Sequence, residues 1–199
     1  MNFKLKRQFR LPGYDYSRPG FYFITICTKN RERFFGKIIN EKMLLSNIGE
    51  IVKKYWLELP KSFDNIYLDE YIIMPNHVHV VIEIMDSWCR PAPWRGFAVS
   101  TPWRGFVHVD GFANDSQNIP TPPTIKPLSK NSLSSIINHF KGNVKRHCNK
   151  NNLSFFEWQP KFYDRIIHDE FALFKIREYI KLNPEKWFRD RNNVEGIFM

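Results

Sequence analysis

The chain of 199 residues carries 30 Lys and Arg against 20 Asp and Glu, a formal net charge of +10 at pH 7. With 43% hydrophobic and 25% charged residues it has the means to build a core of its own, which excludes a chain disordered throughout. The three cysteines, Cys27, Cys89 and Cys148, are far apart and form no CxxC pair, which excludes a zinc ribbon and a disulfide scaffold and predicts a reducing, cytoplasmic setting. No apolar run approaches the roughly 18 residues that span a bilayer, so no membrane partner is expected. The start of the chain is basic without an apolar h-region and does not read as a secretory signal. The basic excess favours a polyanionic partner, because Lys and Arg release counterions when they neutralise phosphates.

In chain order, residues 1–13 form a basic arm with Lys4, Lys6, Arg7 and Arg10 and no acid among the first ten. Such an arm either contacts phosphate or is a solvated terminus. Residues 21–28 (FYFITICT) are aromatic and β-branched and predict a buried strand. Residues 44–59 place Ile48, Ile51, Val52, Tyr55 and Trp56 at helical spacing, with Ser46 or Asn47 as cap and Pro60 as stop. Residues 66–73 (IYLDEYII) and 77–84 (HVHVVIEI) flank a Met74-Pro75-Asn76 turn and predict a hairpin.

Residues 86–130 break the pattern. They hold Pro91, Pro93, Pro102, Pro120, Pro122, Pro123 and Pro127, and a near-repeat of PWRGF at Pro93–Phe97 and Pro102–Phe106. This predicts a long flexible insertion. The repeat reads either as an aromatic-basic clamp for nucleic acid or as a poorly ordered loop. Beyond it, Leu133, Ile136, Ile137, Phe140 and Val144 make the apolar stripe of a helix over 133–148, with Lys141, Lys145 and Arg146 outside the stripe. Residues 155–167 predict a further strand region. Asp169 can cap a last helix that Pro184 stops near Leu182. The expected architecture is α+β: a ferredoxin-like βαββαβ unit with a four-stranded antiparallel sheet, two helices on one face, the long insertion, and an added C-terminal helix.

Two groups of residues can carry chemistry. In a strand, residues i and i+2 share a face, so His77 and His79 project together while Val78 and Val80 face the core. Paired imidazoles are a half-site for a divalent metal, or simply a polar strand face. On the last helix, Lys175, Tyr179 and Asn183 stand at i, i+4 and i+8 on one face, beside the apolar Leu173, Ile176 and Ile180. Tyr179 reads as a nucleophile or as an ordinary tyrosine of an amphipathic helix.

The segment IYLDEYIIMPNHVHVVIEI, followed much later by FYDRIIHDEFALFKIREYIKLNPEKW, resembles the REP-associated tyrosine transposases. These belong to the HUH transposases, which carry a single catalytic tyrosine. LLSNIGEIVKKYW and SLSSIINHFKGNVKRH are similar to that family's first and second helices. The resemblance covers roughly three quarters of the chain in the family's order. The insertion is longer than the family's, and its PWRGF repeat is not a family motif.

The resemblance implies roles residue by residue. His77 and His79 match the metal-ligating histidines and Tyr179 the nucleophile. Asn183 stands where many relatives carry a glutamine that completes the metal site, with a shorter side chain. Tyr163, in the strand-like FYDRII run, is the rival nucleophile and the less favoured. The implied activity is cleavage and rejoining of single-stranded DNA through a 5′-phosphotyrosine, assisted by Mg²⁺ or Mn²⁺, on a substrate that carries a hairpin. The expected DNA contacts are Lys4, Lys6, Arg7, Arg10, Lys141, Lys145, Arg146 and Lys175. Some relatives are homodimers, so the tyrosine can act in cis or in trans. The competing readings are a non-catalytic single-stranded nucleic-acid-binding module, such as a domesticated transposase, and a cyclic-phosphodiesterase type enzyme. The first leaves the histidine pair without a task, and the second needs a second histidine motif.

Overall fold

The computed structural model describes residues 11, 13–86, 131–190 and 192–193. Lys4, Lys6, Arg7, Arg10, Cys89 and the PWRGF repeat lie outside them. Strand β1 is Gly20–Cys27, β2 Gly36–Ile39 and β3 Lys42–Leu45; helix α1 is Asn47–Leu57; β4 is Ile66–Met74 and β5 His77–Ile84. Helix α2 is Leu133–Lys150, β6 is Tyr163–Ile167 and α3 is Glu170–Lys181. Four strands form one sheet in the order β4-β5-β1-β6, and every pairing is antiparallel. The expected split βαββαβ arrangement is the one found, with α3 added.

The sheet alternates cleanly between its two faces. Tyr22, Ile24 and Ile26 of β1 and Val78, Val80, Ile82 and Ile84 of β5 pack with α1 and α2 in the main core, around Trp56 and Phe140. The intervening residues face the other way. Val81, Ile167 and the partly buried Phe21, Phe23 and Ile72 pack with Leu173, Ile176 and Ile180 of α3. A strand's period of two therefore puts His77 and His79 under α3 and away from the main core.

Three expectations are corrected. The helix predicted over 44–59 begins at Asn47: Ser46 is its N-cap, its Oγ accepting from Gly49 N at 3.1 Å. Leu44 and Leu45 belong instead to a small β2–β3 hairpin that the sequence reading missed. Asn40 and Glu41 turn that hairpin with φ of 49° and 60°, a left-handed pair written without the usual Asn-Gly signal. Gly36 opens it at φ 136°, where an added Cβ would stand 2.0 Å from the Leu44 carbonyl oxygen. The strand expected over 155–167 is confined to Tyr163–Ile167; before it only Trp158 makes an isolated bridge, to Thr28. Pro160, which has no N–H to donate, sits between the bridge and the strand.

Helix α3 starts as predicted, with Asp169 Oδ1 accepting from Ala172 N at 2.7 Å. It is tied to β4 by charge as well as by its apolar stripe. The register of β4 against β5 slips between Leu68 and Tyr71, a bulge that frees Asp69 and Glu70 from the regular ladder. Asp69 takes both Arg177 Nε, at 2.8 Å, and Arg177 Nη2, while Glu70 pairs with Lys181 at 2.8 Å. Arg177 and Lys181 are one turn apart and hold the flank of α3 that faces β4.

Candidate active site

His77 opens β5, and its side chain is held by the turn before it. Asn76 Nδ2 donates to the carbonyls of Arg31 at 2.9 Å and Asn192 at 2.7 Å. Its amide orientation is thereby set, and Asn76 Oδ1 faces His77 Nδ1 at 2.9 Å. An amide oxygen only accepts, so His77 Nδ1 carries a proton, and in the neutral imidazole Nε2 then holds the lone pair. One residue pair along, His79 Nδ1 lies 2.9 Å from the hydroxyl of Thr25, its cross-strand partner on β1.

The two Nε2 atoms meet each other at 3.0 Å, and both imidazoles are buried. At that distance the two nitrogens share either a proton, as an N–H···N hydrogen bond, or a cation. Two nitrogens each about 2.1 Å from one octahedral cation stand about 3.0 Å apart, so the spacing suits adjacent ligands. Partners on the remote ring nitrogens, as Asn76 and Thr25 supply, are what orient metal-ligating histidines.

A third donor is at hand. The ligand atoms of His77, His79 and Asp190 all lie within 4.8 Å of one another, and Asp190 Oδ2 is 4.0 Å from His77 Nε2. Asp190 follows a short 3-10 turn, Trp187–Arg189, whose Trp187 ring stacks on His77 at 6.1 Å between centroids. Asn183 is buried, and its Oδ1 has no hydrogen-bond partner among the described residues. A buried carbonyl oxygen without a donor is costly, and a hard cation is a ligand it can satisfy. The two imidazole nitrogens and the carboxylate form a group that could hold a divalent cation.

Tyr179 completes the group. Its Oη is 3.2 Å from His79 Nε2, and its ring makes edge contacts with His79 and with Phe23. Phe23 in turn stacks on His79 at 5.3 Å and forms an apolar wall. Unlike the imidazoles, Tyr179 is 40% exposed. Both the phenol and the histidines come from one chain. Tyr163 pairs with Thr25 and so shares this sheet face, but its strand is two away from the histidines, about 9–10 Å at ordinary strand spacing. The Tyr179 hydroxyl, by contrast, stands 3.2 Å from an imidazole nitrogen.

The expected phosphate-binding cations fall into three sets. Lys175 is on the outer side of α3, one turn from Tyr179, paired with Glu178 at 3.3 Å. Lys141, Lys145 and Arg146 are on α2, across the sheet from Tyr179. Lys141 Nζ donates to the carbonyls of Gln159 and Pro160, and burial pushes its ammonium down to about 8. Lys145 Nζ donates to the carbonyls of Ser154 and Phe156, and Arg146 Nη1 to Asn143 Oδ1. The bonds of the two lysines pin the segment before β6 onto α2. The four cations of the N-terminal arm lie outside the described residues.

Asp190, Asn76 and Thr25 escaped the sequence reading. Asp190 lies beyond Pro184 in a stretch without periodicity, and nothing local marks it. Asn76 had a signal, since an Asn directly before a paired-histidine strand is placed to address the first ring, but it was read only as a turn residue. Thr25 becomes visible only when the register of β1 on β5 is known. Below the histidines on the same face of β5, burial pushes the Glu83 carboxyl up, Asp69 adds to the shift and Arg177 opposes it.

The chain is 35% identical over 190 residues to an uncharacterized protein of Haemophilus influenzae, which covers 96% of this chain and 94% of the relative. No protein-family profile matches it. Among solved structures, a REP-associated tyrosine transposase bound to a REP hairpin superposes with a TM-score of 0.51 at 14% identity, over 89% of this chain and 72% of that one. A candidate transposase of Deinococcus radiodurans gives a TM-score of 0.40 at 15% identity, over 86% and 95% of the two chains. The first superposition shows that this α+β fold is shared with the REP-associated enzyme. No helix among the described residues is long and apolar enough to cross a membrane.

Proposed function

From a chain that belongs to one family with the Haemophilus influenzae protein and has the fold of a REP-associated tyrosine transposase, we propose a DNA-nicking and strand-transferring enzyme acting on single-stranded DNA beside a hairpin. The observation that carries this reading is the 3.2 Å approach of the Tyr179 hydroxyl to an imidazole pair whose Nε2 atoms converge at 3.0 Å. Neither a binding module nor a structural role calls for that convergence.

In this reading His77, His79, Asp190 and Asn183 hold a divalent cation, Mg²⁺ or Mn²⁺. Once bound, the cation supplies charge neutralisation at the scissile phosphate and polarises its oxygens. The chain's own part is positional. Asn76 and Thr25 fix the imidazoles, the Asp69–Arg177 pair and the apolar stripe fix α3, and the phenol is thereby brought to the phosphate it attacks. The Tyr179 oxygen forms a bond to phosphorus and releases its proton to solvent, to which the side chain is open. The bond from phosphorus to the 3′ oxygen breaks, and that oxygen takes a proton and leaves as a 3′-hydroxyl. The product is a 5′-phosphotyrosine, and attack by a 3′-hydroxyl reverses the step and rejoins strands without a nucleotide cofactor. Lys175 and the basic arm contact phosphates, and the net charge of +10 suits the substrate.

The test is a covalent-adduct gel with labelled single-stranded DNA and Mn²⁺. Wild type should form an adduct that resists denaturation, Tyr179→Phe none, and Tyr163→Phe the wild-type amount. Adduct formation undiminished in Tyr179→Phe would rule the assignment out. Salt-sensitive binding without any adduct would favour the non-catalytic module.

A further inference from the structure

Asp190 is not carried by a long helix or a strand. Helix α3 ends at Lys181, and the carboxylate stands in the tail, just past the short Trp187–Arg189 turn. Its side chain is nevertheless only 5% exposed, with Oδ2 4.0 Å from His77 Nε2. The position of this donor must come from what the tail is fastened to.

Within the tail, Asn192 N donates to Asp190 Oδ1 at 2.6 Å. This local turn occupies one carboxylate oxygen and leaves Oδ2 beside His77. Asn193 N donates to the Asp190 carbonyl at 2.9 Å, and Asn193 Nδ2 to the Trp187 carbonyl at 3.2 Å. Asn193 is buried and closes the turn that carries Asp190. Its Oδ1 accepts from Arg33 Nη2 at 2.9 Å. The Arg33 guanidinium also lies 5.7 Å from the centre of the Trp187 ring, the ring that stacks on His77. A guanidinium can meet an indole and donate to an amide oxygen at once, a combination that suits arginine better than lysine.

Arg33 is itself held. It belongs to the loop after β1, which Asn30 and Arg31 turn with φ of 53° and 57°. Thr28 Oγ1 lies 2.7 Å from the Glu32 carbonyl and 3.0 Å from the Asn76 carbonyl, and Phe35 N donates to the Pro75 carbonyl at 2.9 Å. The loop is thereby fastened to the Pro75-Asn76 turn, whose Asn76 orients His77 and also binds the Asn192 carbonyl. Arg33 is exposed, so its removal empties no core position.

We infer that Arg33 is a positioning residue of the cation site: through Asn193 and Trp187 it holds the tail so that Asp190 stands beside the imidazoles. The inference rests on the proposed cation site and names what keeps its third donor in place. Groups that orient ligands govern metal affinity without being ligands themselves.

Titration of the full chain with Mn²⁺, without DNA and with free Mn²⁺ read by electron paramagnetic resonance, tests this. Arg33→Ala should weaken Mn²⁺ binding roughly 10- to 100-fold. Arg33→Lys, which keeps a cation and a donor, should lose less, and Asp190→Ala should lose at least as much as Arg33→Ala. In the Asp190→Ala background Arg33→Ala should cost nothing further, because its effect passes through the carboxylate. An equal loss from Arg33→Ala with and without Asp190 would overturn the inference, as would wild-type affinity in Asp190→Ala. Wild-type affinity in Arg33→Ala, while wild type still forms the Tyr179 adduct, would overturn it and leave the enzymatic reading intact. The expected losses of Mn²⁺ affinity in a protein that forms no adduct would support the positioning role and overturn the enzymatic reading. Absence of Mn²⁺ binding by wild type would overturn the inference together with the cation site.

Discussion

The two faces of the central sheet are built from the same strands by opposite rules. On one, Tyr22, Ile24, Ile26, Val78, Val80 and Ile82 meet α1 and α2 in a continuous apolar core. On the other, a short apolar stretch around Val81, Leu173 and Ile180 gives way to His77, His79, Tyr179 and Asp190. The first face holds the sheet together; the second uses that rigidity to present polar groups whose burial is a cost. An α+β layer of this kind can therefore place a site on a central strand, provided one helix is added to cover it.

Substitutions that strike one face and spare the other put this division to the test. The largest effect is expected from Phe140→Ala, which empties a fully buried position under Trp56 and Trp158. Such a truncation costs about 3–5 kcal/mol, read as a lowered urea midpoint, and should leave adduct formation by the remaining folded protein near wild type. Asp69→Ala removes the bidentate partner of Arg177 and should cost about 1–2 kcal/mol, because Arg177 is partly solvated. It should slow adduct formation more than it weakens DNA binding, since it loosens the helix that carries Tyr179. A double exchange, Asp69→Arg with Arg177→Asp, should restore part of the rate. Lys181→Ala breaks an exposed pair and should cost about 0.5 kcal/mol or less. If Phe140→Ala and Asp69→Ala lowered stability and adduct rate in the same ratio, the two faces would not be separable.

The smallest effect has the opposite sign. Burial raises the Glu83 carboxyl above its ordinary value of 4.5. As pH rises through and above that value the unfolded chain releases the proton first, so the folded state loses stability on the way to neutrality. Glu83→Gln should therefore raise the melting temperature at pH 7. Well below pH 4.5 it should change nothing, which thermal melts at the two pH values would read.

The sequence carried the division between faces only in part. Alternation in HVHVVIEI is enough to put both imidazoles opposite Val78 and Val80, and helical spacing is enough to put Tyr179 beside the apolar stripe of α3, although the helix ends at Lys181 and Asn183, expected on the same helix face, lies in the turn beyond it. Both follow from the backbone periods of strand and helix, which no tertiary contact alters. The order β4-β5-β1-β6 follows from the element order once the split βαββαβ unit is recognised. What resisted was whatever depends on register or on irregular backbone. The β2–β3 hairpin turns on Asn40-Glu41, which lacks the customary glycine. Thr25 meets His79 because of pairing between distant strands. Asp190 approaches His77 through a turn without periodicity, and the Asp69–Arg177 pair depends on a bulge in β4. That Lys141 and Lys145 of α2 bind backbone carbonyls is something a count of charges does not contain.

The approach of Tyr179 to His79 within one polypeptide also bears on how the reaction responds to protein concentration. In the proposed reading Tyr179 serves the imidazoles of its own polypeptide, so turnover per molecule should stay constant on dilution. For the same reason, an inactive Tyr179→Phe protein and an inactive His79→Ala protein should stay inactive when combined, because neither can lend its intact half to the other.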